Sequence, residues 1–66
     1  MIVKVNGENV TCKENDTLLD LIKALKLEGK VMAGAVNMNI VKQDSWHLHV
    51  MKEDDVVELL DFVGGG

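Results

Sequence analysis

The first thirteen residues, MIVKVNGENVTCK, alternate apolar and polar positions on either side of Asn6-Gly7. Successive side chains of a strand point to opposite faces, so this alternation describes two half-buried strands. An Asn-Gly pair between them is a strong signal for a tight β-hairpin. The period then changes. Leu18, Leu21, Ile22 and Leu25 recur at helical spacing, and Thr17 with Asp20 three residues later makes a capping-box pattern in which Asp replaces the usual Glu or Gln. A helix of about ten residues is predicted there, with Gly29 as its stop. VMAGAVNMNIV returns to small and β-branched residues with Asn37 and Asn39 at a break, which predicts a strand, a turn and a short strand. An irregular connection, KQDSWHLHVMKEDD, follows with a single turn near Asp44 to Trp46, and VVELLDFV reads as the last strand.

One helix beside four or five strands, in the order ββαβ(β)β, must cover one face of their sheet, because neither layer buries its apolar side alone. The fold class is therefore α+β. Alternation assigns Val3, Val5, Val10, Cys12, Met32, Gly34, Val36, Val57 and Leu59 to the face under the helix, opposite Leu18, Leu21, Ile22 and Leu25. Trp46 is expected to cover one end, and Met32, Met38 and Met51 to fill gaps. Burial of such side chains contributes about 1.5 to 3 kcal/mol each before ordering costs. The same parity turns Val56, Glu58, Leu60 and Phe62 outward, where a sheet covered on one side meets water. Leu60 and Phe62 are apolar for that position. Unremarkable surface is one reading; an apolar patch beside the chain end is more often a docking surface, with Val63 extending it.

Composition narrows the function. Sixty-six residues, 47% of them hydrophobic and none proline, fit one small folded domain that hides only about 60% of its unfolded surface. Such a body has no room for both a core and a deep catalytic cavity. The apolar runs are too short for a membrane span, and residues 1 to 20 lack a basic start followed by a hydrophobic block, so a soluble, cytoplasmic protein is expected. A single cysteine excludes an internal disulfide and a cysteine metal cluster. Seven Lys stand against eleven Asp and Glu, with no Arg, and the excess of acid lies wholly after residue 33. Nucleic acid is an unsuitable partner for such a chain. Glu53, Asp54, Asp55, Glu58 and Asp61 favour approach of a basic protein surface, or else serve only solubility.

The candidate chemistry sits at the end, LLDFVGGG. Gly64, Gly65 and Gly66 have no side chains and wide backbone freedom, so they can enter a slot too narrow for any Cβ and present a carboxylate at its bottom. Residues 1–63 are expected to form the domain and 64–66 a flexible arm. A frayed end and a cloning remnant are the competing readings. Cys12, in an alternating strand, reads as a buried structural thiol. His47 and His49 share a strand spacing but have no third ligand nearby, so no metal site is assigned. Asp54 and Asp55 read as solvated turn residues with no partner for acid/base work.

The opening VNG turn, T-x-x-x-L-I in the helix, AVN-x-x-IV in the middle, Trp46, the acidic turn EDD before VVELL, and the final FVGGG together resemble the ThiS family of ubiquitin-like sulfur carriers. The resemblance spans essentially the whole chain. It implies a β-grasp fold, in which a mixed sheet grips one helix, and a carrier that is not itself an enzyme and binds no cofactor. It also implies that a ThiF-like adenylating enzyme related to ubiquitin-activating enzymes uses ATP to activate the Gly66 carboxylate. Sulfur from a donor such as a cysteine desulfurase would then give a thiocarboxylate, and a ThiG-like thiazole synthase would consume it in thiamine biosynthesis. Gly65 and Gly66 match the family's diglycine end, with Gly64, Leu60, Phe62, Val63, Glu58 and Asp61 as the docking set. Two positions depart from the family pattern: Asp54 stands where glycine is common in the acidic turn, and Met38 stands where a VNG motif would have its glycine. A related carrier for molybdopterin synthesis and a ubiquitin-like interaction module without sulfur chemistry are the alternatives.

Overall fold

The computed structural model describes residues 1–61 of the chain. Strands β1 (Ile2–Val5) and β2 (Glu8–Thr11) form the first hairpin, helix α1 (Leu18–Ala24) follows, and β3 (Val31–Val36) and β4 (Asn39–Val41) form the second hairpin. A 3₁₀ turn over Gln43–Ser45 and an irregular connection lead to β5 (Val56–Asp61). The strands make one mixed sheet in the order β2-β1-β5-β3-β4. β5 runs parallel to β1 and antiparallel to β3, and both hairpins are antiparallel. This is the β-grasp arrangement, with the last strand inserted at the centre.

Turn residues fix both hairpins. Asn6 and Gly7 take φ values of 48° and 87°, the left-handed pair that a two-residue hairpin turn with the native twist requires. Asn37 and Met38 do the same at 51° and 70°. The family's glycine is thus missing at a position that uses a glycine conformation. Asp54 also has positive φ, 67°, as its place in the acidic turn suggested.

The helix starts as read and stops earlier than read. Thr17 Oγ1 accepts from the Asp20 N–H at 3.2 Å, and the Asp20 carboxylate accepts from the Thr17 N–H at 2.9 Å, closing the capping box. The bond from the Thr17 N–H first, and the Thr17 side chain after it, hold the Asp20 carboxyl below its ordinary range. The box is complete above the usual carboxylate pKa and is lost as pH falls through the lowered value. At the other end Gly29 is not the stop. Lys26 takes φ 61°, its N–H donates to Lys23 O, and Leu27 N–H reaches back to Ile22 O. This is a Schellman ending with lysine where glycine is usual, and it holds the helix to seven residues.

The core follows alternation except at one step. Val3, Val5, Cys12, Leu18, Leu21, Ile22, Val36, Val57 and Leu59 are buried, and Val10 and Leu25 half-buried against them. Met32 is not inside. Between Val31 opposite Asp61 and Ala33 opposite Leu60, β3 carries an extra residue, a bulge that inverts the parity. Val31 takes the inner place, and Met32 is 48% exposed. Met51 fills the core as expected, whereas Met38, 92% exposed, fills nothing. Trp46 closes one end, its indole N–H donating to Val41 O at 2.8 Å. A Cβ on Gly34 would lie 3.3 Å from Leu59 Cδ2 and 3.7 Å from Leu18 Cδ2, so glycine lets the sheet and helix approach.

Two outcomes are expected in urea unfolding. Thr17→Ala lowers stability by about 1 kcal/mol through loss of the cap. Lys26→Gly and Met38→Gly each raise it by about 0.5 to 1 kcal/mol, since glycine removes the left-handed penalty but enlarges the unfolded ensemble; a loss of stability in both would contradict the assigned backbone.

Candidate functional site

β5 carries most of the candidate residues, and its pleat separates them as alternation requires. Val57 and Leu59 point under the helix, while Val56, Glu58 and Leu60 face outward. Leu60 is 54% exposed. It stands opposite Ala33, Glu58 stands opposite Ala35, and Ala35 in turn stands opposite Ile40 of β4. The two alanines are low ground between Leu60 and Ile40, giving an open groove of about 290 Å³ on the helix-free face. Ile40, 79% exposed, and the alanines were not singled out from the sequence. The signal was there in AVNMNIV, since a two-residue turn after Val36 places Ile40 across from Ala35. Asp61 ends the strand. Phe62, Val63, Gly64, Gly65 and Gly66, and the boundary between body and arm, lie outside the described residues.

Both hairpin turns grip β5 through asparagine side chains. Asn37 Oδ1 accepts from Val56 N–H at 3.0 Å, and its Nδ2 donates to Asp55 Oδ1 at 2.9 Å. Asn6 Oδ1 accepts from Leu59 N–H at 2.9 Å, and its Nδ2 donates to Leu59 O at 3.4 Å. Asp55 is a correction to the sequence reading: it is buried, not solvated. Besides Asn37 it accepts from the Lys52 N–H at 2.8 Å, so both carboxylate oxygens are occupied in holding the acidic turn against the second hairpin. A buried carboxylate with its oxygens bonded is structural. Asp54 beside it is exposed.

The remaining candidates fall elsewhere. The Cys12 thiol is buried, and burial, with the charge of Asp16 adding to it, raises its pKa. That suits a packed thiol and not a nucleophile. His47 and His49 lie in the connection after the 3₁₀ turn, not on a strand. The carbonyl of His49 accepts from Leu18 N–H and that of Trp46 from Leu19 N–H, so this connection satisfies the first donors of α1. Among the described residues no helix is long and apolar enough to cross a membrane.

Comparison with known proteins agrees with this geometry. The chain is 32% identical to the sulfur carrier protein ThiS of Bacillus subtilis (strain 168), over 98% of this chain and 100% of that protein. It is 30% identical to a thiazole synthase of Magnetococcus marinus, where all of this chain matches 20% of the longer protein. The crystal structure of a thiamine biosynthesis protein (ThiS) from Geobacter metallireducens superposes with a TM-score of 0.81 at 30% identity, covering 100% of both chains. The model of the ThiS family matches residues 3–66, from the first strand through the last glycine. With its sheet, its helix and its glycine end all inside that match, the chain belongs to the ThiS family.

Proposed function

We infer that the protein is a sulfur carrier of thiamine biosynthesis and that the sulfur is held on the carboxylate of Gly66. The observation that carries this reading is the family match running through residue 66, on a chain whose last described strand presents an open apolar face. A carboxylate is a poor electrophile and has to be activated. In the proposed cycle a Gly66 oxygen attacks the α-phosphorus of ATP on a ThiF-like adenylating enzyme, and pyrophosphate leaves. The persulfide of a donor such as a cysteine desulfurase then attacks the acyl carbon of the adenylate and expels AMP, and a thiol reduces the resulting acyl disulfide, forming a disulfide with the donor's sulfur as the carrier is released. The product is a thiocarboxylate. Thiazole synthase is the consumer, a reading supported by the likeness of this chain to part of a protein of that name.

The division of labour follows from the physics of each part. Glycines at 64 to 66 leave the carbonyl sterically open, and ordering them costs about 1 to 2 kcal/mol each. A partner offsets this with main-chain bonds to the arm and with contacts to the body. Leu60, Ile40 and the alanine floor supply an apolar contact, with Phe62 and Val63 adding to it in this reading. Glu58, and Asp61 with it, supplies negative charge toward a basic partner surface. ATP belongs to the activating enzyme, and the carrier holds no cofactor of its own.

Incubation with the adenylating enzyme, ATP and a sulfur donor is expected to raise the intact mass by the difference between one sulfur and one oxygen atom. Deleting Gly66, or adding a residue after it, abolishes that gain while circular dichroism stays native; a gain in either variant would overturn the assignment of the reacting group. Leu60→Lys is expected to weaken the complex with that enzyme roughly tenfold without unfolding the domain, and Glu58→Lys to slow association at low salt. Unaltered titrations for both would remove the sheet face from the interface.

A further inference from the structure

β1 stops short of the strand it supports. Its ladder with β5 ends at Val5 opposite Val57, while β5 continues against β3 as far as Asp61. On the side of the first hairpin, Leu59 to Asp61 have no strand beside them among the described residues. Exposed main-chain groups at such an edge exchange with water and let a strand end peel away. Here the Asn6 carboxamide occupies that edge, accepting from Leu59 N–H at 2.9 Å and donating to Leu59 O at 3.4 Å. The backbone N–H of the same residue donates to Val57 O at 2.9 Å. A primary amide offers the same acceptor and donor as a peptide group, so one residue continues the ladder twice. Its main chain pairs at Val57 and its side chain at Leu59. The left-handed backbone at Asn6 turns the chain into the hairpin and leaves the carboxamide beside β5.

We propose that Asn6 is a positioning residue for the C-terminal arm. By bonding both main-chain groups of Leu59 it secures the edge of β5 that β3 does not pair, and so fixes the point at Asp61 from which the chain continues toward its end. This role rests on the carrier reading above. The molecule contains a matched case against which the role can be compared. Asn37 also sits in a hairpin turn and also grips β5 by its side chain, but at Val56, the end remote from the arm. Both asparagines hold the strand, and only Asn6 holds the part that leads out.

The test compares Asn6→Gly with Asn37→Gly. Glycine keeps each left-handed turn and removes only the carboxamide. Each protein is titrated with the ThiF-like adenylating enzyme and assayed for ATP–pyrophosphate exchange. Asn6→Gly is expected to keep the native Kd, because the sheet face is untouched, while kcat falls roughly ten- to a hundredfold from misdirection of the reacting group. Hydrogen exchange at the Leu59 amide accelerates in this variant alone, and Asn37→Gly retains native kcat. Should Asn6→Gly not fold, Asn6→Asp keeps the acceptor for Leu59 N–H but sets an anionic oxygen against Leu59 O in place of the donor, and its kcat, not the Leu59 amide exchange, carries the comparison. A native kcat in the Asn6 variant, or equal losses in both variants, overturns the proposal and leaves the carrier reading standing. No exchange with the unsubstituted chain overturns the carrier reading, and the proposal with it.

Discussion

The structure depends on the pairing of β5 between β1 and β3. That strand is the last to be made and the most central in the sheet, so no hydrophobic face closes until it is in place. Val57 and Leu59 supply the middle of the core under α1, and without them the two hairpins have no common surface. The ladder with β1 is short, Lys4 to Val56 and Val5 to Val57, and joins positions about fifty residues apart. Closing so long a loop costs entropy that local contacts do not recover, so this contact is expected to form late and cooperatively. Side-chain bonds from both turns add to the pairing of β5, Asn6 extending the β1 ladder at Leu59 and Asn37 extending the β3 ladder at Val56.

What was legible in the sequence was local. Asn6-Gly7 named its own turn, Thr17 and Asp20 named the start of the helix, and strict alternation placed Val57 and Leu59 inward and Leu60 outward. The β-grasp architecture followed from element order and from the resemblance to a known family. What escaped was anything set by contacts distant along the chain or by a single residue's change of parity. One inserted residue at Met32 reverses a face, and no window of alternating residues reveals it. Lysine at the helix end hides a Schellman motif whose usual mark is glycine. Asp55 looked solvated because its partner Asn37 is eighteen residues away, and the bond from Asn6 to Leu59 spans fifty-three. On the outer face, Leu60 was found because it is large. Ala33 and Ala35 were missed because a groove is made by what is small.

In the proposed cycle, function is divided between a folded body and a chemically plain end. The helix, both hairpins and the acidic turn pack around one strand, and many of their polar groups are bonded within the body. Asp55, the capping box and the carbonyls of Trp46 and His49 are all committed to internal bonds. The body therefore has shape and charge to offer a partner, in the groove beside Leu60 and at Glu58, and the proposed cycle leaves reactive chemistry to the end of the chain and to its partner enzymes.

The direction of β5 has a mechanical corollary. A pull on the last residues is carried straight along a strand bonded to neighbours on both edges. Such a load has to shear the two ladders together, where a pull across an edge hairpin would unzip bonds one at a time. A load applied along β5 is thus shared by the two hairpins at once.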